Sequence, residues 1–156
     1  MEHPVTEEVT GLDLVEWQLN VAEGKVLPEQ EQIQTTGHAI EYRIYAEDPK
    51  TFFPSPGQIS EILWGEGARI ESGYESGNTV TPFYDPMISK VIIKGADRAD
   101  ALRKSQNFFN HATINGVKTN IPLFKEFIGS ADFVSGEYAT AVLPKWMENT
   151  KEEKTV

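Results

Sequence analysis

Residues 40–47 constrain this chain more than any other stretch. Ile40, Tyr42, Ile44 and Ala46 alternate with Glu41, Arg43, Tyr45 and Glu47. A period of two places the apolar set on one side of an extended strand and the polar set on the other. The segment therefore reads as a half-buried strand with one wet face, running over residues 38–47. Residues 48–57 carry three prolines and break it into a loop. Shorter strand candidates follow at residues 58–63, 68–72 and 79–83, separated by glycine-rich turns. Val91, Ile92 and Ile93 form a buried run within residues 87–94. Short strands in succession predict an antiparallel sheet rather than alternating βαβ units.

Helical spacing appears before and after these strands. Leu14, Trp17 and Val21 mark a helix over residues 11–24. Thr10 is its expected N-cap, Asp13 suits its first turn and Gly24 its C-terminus. Residues 25–36 read as a connector with at most a short helical turn at 29–33. A second helix is expected from residue 97 or 99 to 111, anchored by Leu102, Phe108 and Phe109. A third covers residues 120–128, with Pro122 near its first turn and Leu123, Phe124, Phe127 and Ile128 facing inward. Residues 138–143 read as a helix turn or strand, and 149–156 as a frayed tail. The expected fold is α+β, a mostly antiparallel sheet packed with helices.

Composition excludes several functions. The 156 residues fit one domain of ordinary size. With no cysteine, disulfides and thiolate metal sites are ruled out. A net charge of −10 and the lack of a basic patch argue against nucleic acid as a partner. No apolar stretch is long enough to span a membrane, and residues 1–4 lack a signal peptide's character, so a cytoplasmic location is expected. His38 and His111 have no partners at metal-ligand spacing, so no metal site is expected here. Gly65, Gly67, Gly73 and Gly77 do not spell a phosphate loop.

Three constellations can carry chemistry. Glu2 and His3 stand side by side, either an acid–base pair or an ordinary surface terminus. The string beginning at Glu2 directly after Met1 is expected to be internal to a longer protein. Glu41 and Arg43 share the polar face of their strand. Arg43 is either a binder of anionic oxygen or one half of a solvated cross-strand ion pair. Asp85, just before Pro86, either starts a turn or orients a nearby cation such as Arg43.

Taken in order, five strings resemble the biotin carboxylase family. They are Glu2-His3-Pro4-Val5-Thr6-Glu7 with Thr10-Gly11-Leu12-Asp13-Leu14-Val15; residues 37–49, including Glu41-Tyr42-Arg43-Ile44; Phe53-Pro54-Ser55-Pro56-Gly57; Tyr84-Asp85-Pro86-Met87-Ile88-Ser89-Lys90; and Gly116-Val117-Lys118-Thr119-Asn120-Ile121. Residues 14–19 and 43–46 look most like the acyl-CoA carboxylases, the methylcrotonyl type especially. The resemblance implies that residues 1–36 trail an ATP-grasp core, 37–147 form the C-terminal domain and 148–156 a disordered tail. It implies an enzyme that carboxylates biotin on a carrier protein using ATP, magnesium and bicarbonate. Glu2 then matches the bicarbonate base. Arg43 matches the arginine that binds the biotin ureido oxygen and steadies negative charge there. Asp85 would support that pocket, and Thr140 would lie near the adenine.

The family's magnesium carboxylates lie upstream of this chain, so the fragment is expected to be inactive alone. Implied partners are the carrier protein, a carboxyltransferase subunit and a second copy. Arg69 matches one of the family's dimer contacts, whereas His111 stands where a Glu is expected. The alternative is a noncatalytic interaction module for carboxylase subunit assembly.

Overall fold

A computed structural model describes residues 3–153. The expected 11–24 helix is present as α2 (Leu14–Ala22), and a further helix not expected from the sequence, α1 (His3–Thr10), precedes it. Gly11 separates them. At φ 73° it takes the left-handed conformation that closes α1, its N–H donating to the Glu7 carbonyl at 2.8 Å. The cap of α2 is Asp13 rather than Thr10, because the Asp13 carboxylate reaches the Glu16 N–H at 2.8 Å. No residue of α2 is buried, and Val15, Leu19 and Val21 are exposed. A single 3-10 turn, Gln30–Gln32, interrupts the connector as expected.

The strands are β1 (His38–Tyr45), β2 (Gly57–Gln58), β3 (Glu61–Leu63), β4 (Arg69–Ser72), β5 (Thr79–Val80), β6 (Met87–Gly95) and β7 (Thr113–Asn115). The central sheet has the order β1-β6-β4 and is antiparallel throughout. Two short antiparallel ladders, β2 with β5 and β3 with β7, flank it. The α+β expectation holds.

Register sorts the side chains. Ile40 opposes Ile93, Tyr42 opposes Val91, and Val91 in turn opposes Ile70. This face is covered by α3 (Arg98–His111), whose Leu102, Ser105, Phe108 and Phe109 are buried at helical spacing. Tyr42 meets Phe109 edge-on at 4.9 Å, and Phe124 of α4 (Ile121–Phe127) at 5.3 Å. Each such buried ring contributes about 1.5–3 kcal/mol by leaving water. Asp97 caps α3 by accepting from the Asp100 N–H.

The C-terminus departs from expectation. A short helix α5 (Ala131–Ser135), capped by Ser130, follows α4. Helix α6 (Val142–Glu153) then occupies most of the stretch expected to be a disordered tail. Trp146 explains why: its ring packs edge-on against Phe127 at 5.3 Å, so tertiary burial orders a polar helix. Among the described residues, no helix is long and apolar enough to cross a membrane.

Candidate functional site

The other face of the central sheet is polar. Glu41, Ile92 and Arg69 form one cross-strand rung; Arg43, Lys90 and Glu71 form the next. Neighbours in such rungs hold their Cβ atoms about 4.5–5.5 Å apart, close enough for long charged side chains to meet. Helix α1 lies over this face and brings His3 and Glu7 down onto it.

Glu7 is the anchor. It is only 6% exposed, which for an isolated carboxylate is costly. Three donors offset that cost. The carboxylate accepts from the Leu14 N–H at 2.9 Å, which also ties α1 to α2. It pairs with Arg69 at 2.8 Å and with His3 at 2.8 Å. Burial alone raises the Glu7 carboxyl, but hydrogen bonds from His3, Arg69 and Leu14 outweigh it and bring it down to about 2. Arg69 also pairs with Glu71, and lies 3.7 Å from Glu8. Desolvation opposes the charge of Arg69, yet Glu7 and Glu71 reverse this and raise it. Lys94 closes the end of the face by donating to the Glu8 carbonyl at 2.5 Å.

Ligand atoms of His3, Glu7 and Glu71 lie within 4.8 Å of one another. Their negative charge is already met by Arg69 on both carboxylates and by Lys90, 3.8 Å from Glu71. The cluster is thus an ion-pair network and offers no vacant seat for a divalent cation.

Arg43 stands at the outer end of this network. It is exposed on β1, the outer strand of the sheet, on the side shared with Glu41. Its guanidinium lies 5.4 Å from the centre of the Tyr45 ring. Lys90, its neighbour in register, is drawn toward Glu71 on the far strand, so the two cations diverge. A guanidinium presented in this way can receive an anionic or carbonyl oxygen through a planar fork of donors.

The remaining expected site residues lie as follows. Glu2 falls outside the described residues. Asp85 is exposed in the turn into β6, where its carboxylate accepts from the Met87 N–H at 2.9 Å. It faces Glu47, whose carboxyl is raised first by burial and then by the Asp85 charge. Thr140 is exposed in the turn before α6. That helix packs on the apolar side of the sheet through Trp146. His38 lies 3.2 Å from Arg98, and His111 hydrogen-bonds the Asn107 carbonyl, both in structural surroundings. Arg69, expected at a dimer contact, is committed to the network beneath α1.

Sequence reasoning missed Glu7, Lys90 and Glu71 as members of this face. The alternation of Lys90, Ile92 and Lys94, and of Arg69 and Glu71, carried the signal. It also missed Asn120. Only 4% exposed, Asn120 donates from Nδ2 to the Arg43 carbonyl at 3.0 Å and accepts at Oδ1 from the Tyr45 N–H at 3.0 Å.

Residues 41–145 match the biotin carboxylase C-terminal domain family, and residues 1–30 match the ATP-binding domain of the carbamoyl-phosphate synthase L chain. A biotin carboxylase from Halalkalibacterium halodurans is 51% identical over 144 residues, covering 90% of this chain and 32% of that protein. The mitochondrial propionyl-CoA carboxylase alpha chain of Mus musculus is 44% identical over 149 residues, covering 92% of this chain and 21% of that protein. A crystal structure of a Campylobacter jejuni biotin carboxylase superposes with a TM-score of 0.87 at 39% identity, covering 93% of this chain and 33% of that one. The chain thus spans a third or less of the length of these relatives. It belongs to the biotin carboxylase C-terminal domain family.

Proposed function

We propose that this chain is the C-terminal part of an ATP-dependent biotin carboxylase. The complete enzyme carboxylates biotin held on a carrier protein, using bicarbonate, and passes it to a carboxyltransferase partner in the cytoplasm. Residues 1–36 end the ATP-binding part, and residues 37–147 form the domain that faces biotin. A second copy of the enzyme is a further partner.

The observation that carries this reading is the placement of Arg43. It is exposed on the outer strand of the polar face that α1 covers. Arg43 binds the ureido oxygen and holds the negative charge that develops there when the neighbouring nitrogen loses its proton. Such a donor, fixed before the reaction begins, does not have to reorganise as charge appears. Behind it, Lys90 pairs with Glu71. Glu2 serves as the base toward bicarbonate. Asp85 shapes the rim of the pocket through its turn, and Thr140 borders the adenine.

ATP and magnesium supply the activated phosphoryl chemistry when bound. The His3–Glu7–Glu71 cluster does not fit magnesium, because Arg69 and Lys90 already neutralise it. As the family resemblance implies, the metal carboxylates belong to the ATP-binding part of the complete enzyme. The chain by itself hydrolyses no ATP in response to biotin.

The test is Arg43→Ala in the complete carboxylase. Loss of one preorganised donor lowers turnover with biotin by about 10²–10³-fold. ATP cleavage in bicarbonate without biotin should change little. Near-normal biotin carboxylation by the variant would overturn the role given to Arg43.

A further inference from the structure

We infer that Asn120 is a positioning residue for Arg43, holding the backbone from which its guanidinium projects. The inference rests on the reading of Arg43 as the biotin-facing residue. Three hydrogen bonds join Asn120 to β1: Nδ2 to the Arg43 carbonyl at 3.0 Å, the Tyr45 N–H to Oδ1 at 3.0 Å, and the Asn120 N–H to the Tyr45 carbonyl at 3.3 Å. Sequence separation is more than seventy residues, so the link is purely tertiary.

Helix capping does not explain this side chain. Asn120 occupies the N-cap of α4, where asparagine ordinarily turns its oxygen onto the free N–H groups of its own helix. It makes no such bond here. Pro122, in the first turn, has no N–H to satisfy. The amide is free to face β1 instead, and an amide suits that task because one end accepts while the other donates. Asn120 thus acts as a one-residue strand on the edge of β1 that β6 leaves open.

The bonds also fall at a particular place. The register of β1 against β6 shifts between Ile44 and Tyr45. Irregularities of this kind bend and twist a strand and re-aim nearby side chains. Asn120 grips the carbonyl before the break and the N–H after it. It therefore fixes both the Cα that carries Arg43 and the Tyr45 ring over which the guanidinium lies. Misplacement of a reacting group by about 1 Å can cost on the order of 100-fold in rate.

The experiment compares Asn120→Ala and Asn120→Asp in the complete carboxylase, each in the Arg43 and Arg43→Ala backgrounds. Asp keeps the shape and the acceptor for Tyr45 but loses the donor to Arg43. In the Arg43 background, both variants should lower biotin-dependent turnover about tenfold or more. ATP cleavage without biotin and the KM for ATP should stay within about twofold of the parent, which a general loss of structure would not allow. In the Arg43→Ala background the same changes should add less than about twofold, because the residue they act through is gone. Equal losses in both backgrounds would overturn the inference, as would normal biotin turnover in either variant. If Arg43→Ala alone is near normal, the underlying reading fails and this inference with it. If Arg43→Ala is severe while Asn120→Asp is silent, only the positioning role fails.

Discussion

Glu7→Gln isolates the charge at the centre of the polar face. The side chain keeps its shape, so packing of α1 is little disturbed. The wild-type carboxylate receives a hydrogen bond from the Leu14 N–H at 2.9 Å and pairs with Arg69 and His3 at 2.8 Å while only 6% exposed. Charge-assisted bonds contribute about 1.5–3 kcal/mol against about 1 for neutral ones, so weakening two of them costs about 2 kcal/mol. The lowered carboxyl of Glu7 gives a consistent bound. A carboxyl moved from 4.5 to about 2 corresponds to roughly 3 kcal/mol, less once solvent screening near the partly exposed Arg69 is allowed for. For a chain of this size the melting temperature should fall about 4–8 °C. The sign with pH follows from the lowered folded-state value. The stabilisation is complete above the unfolded pKa, near 4.5, and disappears as pH falls through about 2. Urea denaturation of the two chains, followed by tryptophan fluorescence from pH 7 to pH 3, measures the gap directly. The gap should shrink to about half by pH 3. Equal stability at pH 7, or a gap that stays constant down to pH 3, would refute the assignment of a buried, paired Glu7.

Two further outcomes are expected. Gly95→Ala should abolish folding, read as loss of a cooperative urea transition, because its Cβ would stand 2.2 Å from the Ala101 backbone nitrogen. Arg98→Met should loosen residues 136–138 and the His38 end of β1 while sparing the rest of β1 and β6, measured by hydrogen exchange. Arg98 donates to the Phe133 carbonyl and the Tyr138 hydroxyl, meets His38 at 3.2 Å, and lies against the rings of both aromatics, and methionine keeps none of the donors.

The site was legible in sequence as far as local periodicity reaches. The alternation around Tyr42 and Arg43 established which face of β1 is wet, and the structure keeps Arg43 on that face. The order of five strings pointed to the family. Short-range cues failed where two elements meet end to end. Helix α1 escaped notice and the 11–24 helix was begun too early, because Gly11 and Asp13 act through backbone conformation and capping rather than through hydrophobic period. The polar C-terminal stretch gave no sign of a helix, since its order comes from packing of Val142, Leu143 and Trp146 against the core, with Trp146 meeting Phe127.

By itself, then, the sequence determined the strand with two chemically distinct faces, the antiparallel class, the family and the candidacy of Arg43. Periodicity and motif order record which way a side chain faces and what company it keeps along the chain. Only the tertiary structure decided what approaches each face. Docking of α1 turned Glu7, Arg69 and Glu71 into one network, and the approach of α4 set the Asn120 amide on the outer edge of β1. Contacts between residues distant in sequence depend on how the chain closes on itself, and no local pattern encodes that closure.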